Sequence, residues 1–397
     1  MSDDFKRKLM EYKDGKLSGE ERAEVERELA KMETYQAYLD EMLENEAEEE
    51  HSKQPMFGNP SDPAEQVHRN EKRLLRRGRW KLRFGTLMTL LSLFIWFTFI
   101  SAIGSAVYFS KGNPDLTEVN KDVVESAIAV GYPNTGVHLS GSTGMYFNMK
   151  ASGKMVKRVG DEPVEVGEVT ASFLFGWMRL SDISWSANET PPSGVFFYPG
   201  FQAANSDSQW RKLEKLPEGT VAEAYVSYKK LYTTDEFLSM FSGKRIDPVW
   251  FAVDNGAGTN ERYGGMIMNP VGFPSLPVWH RGRDGEETKT SKNKGLVTQT
   301  TSVISYPAVN VYGDGEIRDK NFIDTLRILA QHKRAAKRLI PSVDMEATLE
   351  YVEKNGVKIY GAVVTGPTKE VLKLRQDPSV SAIHVGRVAL WNLEDEQ

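Results

Sequence analysis

The sequence predicts a multi-part chain with an all-α cytoplasmic N-terminal domain, one transmembrane helix and an α+β extracellular domain. Three observations predict this division. Charge is distributed very unevenly, one long run of residues carries no charge, and the pattern after that run turns to short strand-like segments. A chain of 397 residues is also long enough for more than one folded unit.

The charge distribution separates the N-terminal part from the segment that precedes the uncharged run. Residues 1–54 contain 17 acidic and 9 basic residues, a net charge of −8, although the whole chain carries only −5. Residues 69–83 contain eight Lys or Arg and one Glu, a net charge of +7. This asymmetry is more informative than the total. The absence of Cys excludes disulfides, thiolate zinc sites and a cysteine nucleophile.

The uncharged run, FGTLMTLLSLFIWFTFISAIGSAVYF, extends from Phe84 to Phe109. As a helix it would be about 39 Å long, enough to cross a hydrocarbon core of about 30 Å with some tilt. Basic residues precede it, and SKGNPD follows it. The positive-inside rule therefore predicts a cytoplasmic N-terminus, with the residues beyond 110 outside the cell. Trp80 and Tyr108 are candidate interface anchors.

Small residues recur four apart near the end of this run, at Ser101 with Ser105 and at Ala102 with Ala106. Such spacing permits close helix–helix contact in lipid, and thus a second membrane protein as a partner. Small residues scattered along a lone helix are the alternative, and it stays open here. The predicted domains are residues 1–45, a linker and juxtamembrane segment 46–83, the span 84–109 and the domain 110–397.

Two helices are predicted before the span. Residues 3–14 can form the first, and Ser18 with Glu21 fits a capping box that starts the second. About 40 residues bury too little apolar surface to be firmly stable alone, so an apolar stripe here favours partner binding over a self-associating hairpin. The predicted partner-binding stripe consists of Leu9, Tyr12, Val25, Leu29, Met32, Tyr35, Leu39 and Leu43.

The segment EYKDGKLSGEERAEVERELAKMETYQAYLDEM resembles the N-terminal domain of membrane-bound anti-sigma factors. Glu28, Met32 and Tyr35 stand at the spacing where the zinc-binding subgroup has His and two Cys. Met and Tyr are poor zinc ligands, so the segment resembles a zinc-free version with no metal or other cofactor. The resemblance implies that the helices cover an extracytoplasmic-function sigma factor, with no direct contact to nucleic acid.

Beyond residue 110 the pattern indicates an α+β domain. Two segments, residues 223–254 and 357–390, each read as a strand, a Thr that can cap, an amphipathic helix and a second strand. Thr234, Glu236 and Leu238 of the first correspond to Thr368, Glu370 and Leu372 of the second, at a constant offset of 134. Whether they are a repeat or two unrelated units stays open. A long helix is expected from Asp319 to Leu339, and Asp344 is expected to cap another that ends at Gly356.

The same region, through LPEGTVAEAYVSYKKLYTTDEFLSMF and AVVTGPTKE, resembles the C-terminal domain of the sigma-factor-regulator family. These proteins are single-span regulators of Bacillus-like, Gram-positive bacteria. The basic region with the span resembles the N-terminal domain of the same family. The resemblance implies a cell-membrane protein that transduces a cell-envelope stress signal into regulation of transcription.

An enzyme is not expected, because no catalytic constellation is visible. A Gly-x-Ser-x-Gly elbow is absent, and Ser291–Lys294 matches Ser-x-x-Lys only within a segment that we read as a polar loop. His280 and His332 show no metal spacing. The sequence therefore predicts a membrane-anchored anti-sigma factor. The alternative is an envelope-binding receptor or scaffold whose cytoplasmic partner is not a sigma factor.

Overall fold

The computed structural model describes residues 63–187, 189–190, 192–201, 206–257, 264–294 and 297–391, together with seven positions from Gly19 to Tyr38. The chain forms two compact units, residues 1–89 and 90–397. We call the part of the second unit that follows Phe109 the C-terminal domain.

The described helices are α1 Pro63–Phe109, α2 Leu116–Gly131, α3 Ser206–Glu214, α4 Thr234–Ser239, α5 Gly315–Gln331, α6 Lys333–Leu339, α7 Met345–Asn355 and α8 Thr368–Lys373. The strands are β1 Gly136–Val137, β2 Ser140–Thr143, β3 Asn148–Val159, β4 Glu162–Leu174, β5 Trp177–Trp185, β6 Phe196–Phe197, β7 Thr220–Tyr232, β8 Asp247–Val253, β9 Met266–Ile267, β10 Gly272–Pro274, β11 Glu286–Lys294, β12 Val297–Ser305, β13 Ile359–Pro367 and β14 Val380–Leu390.

Helix α1 begins well before the predicted span. Residues 63–83, predicted to belong to a linker and juxtamembrane segment, are its first part. Pro63 suits the first helical position, where its missing N–H has no intrahelical partner, and no later proline interrupts the helix. The helix ends at Phe109, which is also the last residue of the apolar run.

The centre of the C-terminal domain is a five-stranded antiparallel sheet with the order β10–β8–β13–β7–β14. Both strand–helix–strand segments are present, as β7–α4–β8 and β13–α8–β14. The two segments interleave in the sheet. Strand β13 lies between β7 and β8, and β7 lies between β13 and β14. This is the split arrangement of ferredoxin-like sheets.

The caps of the two short helices differ from the expected ones. Thr233, not Thr234, is the N-cap of α4, and it forms a capping box with Glu236. The hydroxyl of Thr234 instead donates to Asp319 on α5. Thr368 does not cap α8 either, because its hydroxyl donates to the carbonyl of Thr220 on β7. Both threonines are thus used for tertiary contacts rather than local ones.

A second antiparallel sheet contains the long β3–β4 hairpin, with β5 on one side and β1 and β2 on the other. At one end of this hairpin lie the loop 144–147 before β3 and the turn 175–176 between β4 and β5. At the other end is the turn 160–161. The twelve residues of β3 separate these two ends by about 40 Å.

One hydrophobic core joins the two sheets and helices α2, α5 and α7. The indole N–H of Trp250 on β8 donates to the carbonyl of Ala129 on α2 at 2.8 Å, which ties the central sheet to the first helix of the domain. Gly272 on β10 permits this packing, because a Cβ there would come within 1.9 Å of the Phe251 carbonyl oxygen.

Two further expectations need correction. The helix expected from Asp319 to Leu339 starts at Gly315 and breaks at His332 into α5 and α6. The break lets α6 turn towards β5, where the Arg338 guanidinium donates to the carbonyl of Arg179. The segment with Ser291–Lys294 is strand β11, paired with β12, rather than a loop. Asp344 caps α7, which ends at Gly356, as expected.

Candidate functional site

The predicted partner-binding stripe lies outside the described residues, as do Glu28, Met32 and Tyr35 at the zinc-ligand spacing. The described positions of this segment are all helical and exposed: Gly19, Arg27, Ala30, Lys31, Thr34, Ala37 and Tyr38. At about 100° per residue, the described positions from Arg27 to Tyr38 fall on one face of a helix. The stripe stays a prediction.

Residues Arg83–Phe109 are long and apolar enough to cross a membrane, the one such stretch in the described part of the chain. From Phe84 to Ile100 nearly every side chain is exposed, including Leu90, Phe94 and Trp96. The environment changes at Ser101. Ser101 and Ser105 are buried although they are polar, and Phe109 is buried as well.

The partner of this buried face is the loop 144–147 of the same unit. The backbone N–H of Tyr146 donates to Ser101 Oγ, and that of Phe147 donates to Ser105 Oγ, each at 2.7 Å. Both loop residues have positive φ, near 59° and 56°, which turns their N–H groups towards the helix. Thr98 Oγ1 lies 2.7 Å from the Tyr146 hydroxyl, and the Phe147 ring packs 3.5 Å from the position of a Cβ on Gly104.

These contacts change the interpretation of the small residues. Ser101 and Ser105 serve the chain's own loop, so their face is not free for another membrane helix. Ala106 remains exposed and Ala102 is half-buried. Tyr108, a predicted interface anchor, donates from its hydroxyl to the Phe175 carbonyl and packs edge-on against Phe147 and Phe175. It therefore holds the same end of the hairpin.

A buried charged cluster lines a cleft of about 450 Å³ beside the central sheet. The Lys157 ammonium lies 3.6 Å from a Glu223 carboxylate oxygen and 3.7 Å from one of Glu189. Asn134 donates to Glu223, and Arg387 pairs with Glu189 at 2.7 Å. The polar groups thus satisfy one another, which is how buried charge is tolerated in a fold. The cluster fixes β3, β7 and β14 together.

A second buried cluster has the connectivity of a hydrolytic triad. Ser126 Oγ lies 2.9 Å from His280 Nε2, and His280 Nδ1 lies 2.9 Å from Asp284 Oδ2. Burial opposes ionisation of Asp284, but hydrogen bonds from the ring and backbone of His280 outweigh it and lower the pKa of Asp284. Ser126 is wholly buried in α2 and His280 is 1% exposed, so a substrate has no path to the hydroxyl.

This cluster is therefore a tether rather than a catalytic centre. It fastens α2 to the turn 280–284, and Gly282 of that turn lies against Asn113 and Pro114, just after the end of α1. Among the residues that the structure describes, His, Asp and Glu form no group of three or more that could hold a metal ion. Ser126 and His280 are 154 residues apart, so no local pattern in the sequence indicates that they are in contact.

Two regions of the chain match known domains. Residues 72–164 match the sigma factor regulator N-terminal domain, and residues 213–387 match the sigma factor regulator C-terminal domain. Over 403 aligned residues the chain is 28% identical to the protein described as "Probable anti-sigma-M factor YhdL" of Bacillus subtilis (strain 168), and 99% of each chain is covered. No solved structure matches the chain.

Proposed function

This chain belongs to the sigma factor regulator family, and from that we propose that it is a membrane-anchored anti-sigma factor that holds an extracytoplasmic-function sigma factor inactive. The observation that carries the proposal is the similarity to an anti-sigma-M factor over 99% of both chains. The two domain matches start only at residue 72, whereas this similarity includes the N-terminal segment with the predicted stripe.

The partner-binding part is the N-terminal segment, on the cytoplasmic side of the membrane. Its net charge of −8 complements a basic, nucleic-acid-binding partner such as a sigma factor. The stripe from Leu9 to Leu43 would lie in grooves of the sigma factor and cover its contacts to polymerase or promoter. The exposed face with Ala30 and Ala37 would remain in water.

The C-terminal domain is the sensing part, placed outside the cell by the basic residues that precede the span. A signal in the envelope must change the equilibrium between holding and releasing the sigma factor, which requires a different interaction free energy in the two states. The hydrogen bonds from loop 144–147 to Ser101 and Ser105 support a direct mechanical route. They attach the domain to the last turns of the span rather than leaving it on a free tether.

The test is retention of the sigma factor by the full chain. The chain is co-expressed with a candidate extracytoplasmic-function sigma factor, extracted from membranes and captured, while a sigma-dependent reporter is measured. Wild-type chain should retain the sigma factor and repress the reporter. The double substitution Leu29→Asp and Leu39→Asp should release the sigma factor and activate the reporter, because two charges would be buried in an apolar interface.

A matched control is available one or two residues away. Ala30→Asp with Ala37→Asp adds the same two charges on the described exposed face and should retain the sigma factor as wild type does. Retention by the Leu29/Leu39 variant would contradict the stripe. Capture of an unrelated cytoplasmic protein, with none of the sigma factors of the cell retained, would instead favour a receptor or scaffold.

A further inference from the structure

An exposed apolar patch lies at the end of the β3–β4 hairpin that contacts α1. The patch consists of Met145, Phe175, Trp177 and Leu180, which are 49%, 51%, 72% and 66% exposed, respectively. The surface of a water-soluble protein rarely groups such large apolar side chains together. The two loops at this end are held firmly, since the rings of Phe147 and Phe175 stack with centroids 4.7 Å apart. The packing of these loops therefore holds the patch in a fixed position on the domain. Contiguous exposed apolar groups of this kind mark an interaction surface.

The position of the patch along α1 indicates what covers it. Ser101, the first buried side chain of this apolar run and an acceptor for the loop, is eight residues or about 12 Å before the end of the helix at Phe109. The largely exposed part of the apolar run, Phe84 to Ile100, is about 25 Å long, close to the thickness of a hydrocarbon core. The patch thus stands at the level where α1 leaves the hydrocarbon, beside side chains such as Ile103 and Val107 that are themselves exposed.

Basic side chains frame the patch. Helix α6, with the sequence KRAAKRL, presents four exposed Lys or Arg and no acidic residue. Its Arg334 guanidinium lies over the Trp177 ring at 5.4 Å, and Arg338 donates to the carbonyl of Arg179 beside Leu180. Tryptophan and apolar side chains flanked by Lys and Arg are the composition of surfaces that lie in the headgroup region of anionic membranes.

We propose that this end of the C-terminal domain, the Met145–Phe175–Trp177–Leu180 patch together with the basic face of α6, lies in the interfacial layer of the bilayer from which α1 emerges, in contact with anionic lipid headgroups. The inference rests on the proposed membrane span of α1. It does not depend on which side of the membrane the C-terminal domain occupies. It means that the membrane surface fixes the orientation of the domain. The turn 160–161, at the other end of a hairpin about 40 Å long, then points away from the patch and its lipid contact.

The absence of Cys makes a direct test available. Leu180→Cys in the full chain is labelled with an environment-sensitive fluorophore, and the protein is placed in nanodiscs of phosphatidylglycerol and phosphatidylcholine. Lipid contact should shift the emission to shorter wavelength and allow quenching by bromine or nitroxide groups on the lipid chains. The matched control is Leu390→Cys, which is 76% exposed and lies near the opposite turn 160–161, and it should behave as in water.

Two more labels separate the outcomes. Phe94→Cys reports whether α1 itself is in lipid, and Met145→Cys repeats the measurement on the other loop. If Phe94 is shielded but Leu180 and Met145 match Leu390, the patch is not in lipid and the inference is overturned while the span stands. If Phe94 is also unshielded, the span itself fails. Lys337→Glu should weaken shielding at Leu180 in phosphatidylglycerol but not in pure phosphatidylcholine, and equal shielding in both lipids would overturn the role of α6.

Discussion

The ammonium of Lys157 lies 3.6 Å from a carboxylate oxygen of Glu223, and the two side chains are only 4% and 1% exposed. On the same strand, Lys154 pairs with Glu165 at the shorter distance of 2.7 Å, but these side chains are 72% and 52% exposed. Distance alone would rank the Lys154 pair as the stronger. Burial reverses this order, because removing one partner of a buried pair leaves an uncompensated charge in a low-dielectric interior.

We therefore expect Lys157→Met to lower the free energy of unfolding of the C-terminal domain by about 3–5 kcal/mol. Lys154→Met on the same strand should leave it nearly unchanged. Denaturant unfolding of the full chain in detergent, followed by tryptophan fluorescence, measures both. Adding Glu223→Gln to Lys157→Met should restore part of the loss, since it removes the orphaned charge. Equal destabilisation by the two lysine substitutions would contradict the argument.

The serine contacts of α1 make a second prediction. Ser101→Ala and Ser105→Ala each leave one backbone N–H of loop 144–147 without its acceptor, at a cost of about 1–3 kcal/mol per group. Hydrogen exchange of the loop amides in nanodiscs should become faster, with Tyr146 responding to the first substitution and Phe147 to the second. Ser92→Ala is the control, since Ser92 is exposed in the same helix. Unchanged exchange in the double variant would show that the loop is held by other contacts.

The sequence predicts well where structure depends on local patterns. The end of α1 at Phe109 follows from an uncharged run, and the cap at Asp344 follows from the preference of its carboxylate for the free N–H groups of a first turn. The strands of the central sheet are recognisable by their apolar, β-branched composition. Their order is not, because β7 and β13 are more than a hundred residues apart and nothing local specifies that they pair.

The sequence fails where a residue's partner is distant. Thr234 satisfies the local rule for a cap as well as Thr233 does, yet its hydroxyl is taken by Asp319 on another helix. Ser101 and Ser105 have the spacing of a helix–helix contact, but loop 144–147 occupies that face. In each case the sequence indicates the residue type and the spacing but does not specify the partner. Partner identity depends on the tertiary fold, which periodicity does not contain.

The residues at the zinc-ligand spacing make a third prediction, which concerns metal removal. Glutamate, methionine and tyrosine at positions 28, 32 and 35 offer one carboxylate and no thiolate or imidazole, so they do not match a structural zinc site. The complex of the full chain with its sigma factor should therefore survive EDTA or a stronger zinc chelator. Pull-down with and without chelator measures this, and a zinc-dependent anti-sigma factor serves as the positive control. Stoichiometric zinc in the purified complex would contradict the prediction.

The last prediction concerns Asp122, which lies on α2 near the Ser126–His280–Asp284 cluster. Burial is the main cause that raises the pKa of Asp122 from 3.8 to about 6. Smaller electrostatic effects act in both directions: His280 and Arg283 lower this pKa, and Glu125 and Glu118 raise it. Its Oδ2 atom has no hydrogen-bond partner in the described part of the chain. The folded state therefore keeps this proton over a pH range in which the unfolded state has released it.

The sign follows from that difference. The stability contributed by the raised pKa is fully present below about pH 4 and is lost as the pH rises through about 6, a change of about 3 kcal/mol. Asp122→Asn removes the titration, so this variant should be more stable than wild type at pH 7.5 and similar to it at pH 4. The exposed Asp182→Asn is the control for a lost surface charge. The measurement is the free energy of unfolding of both proteins at several pH values between 4 and 7.5. Burial also raises the pKa of Asp319 to about 6. Because Asp319 is present in wild type and variant alike, its contribution cancels in the difference between their unfolding free energies. A difference between wild type and Asp122→Asn that does not change with pH would show that Asp122 does not titrate in this range.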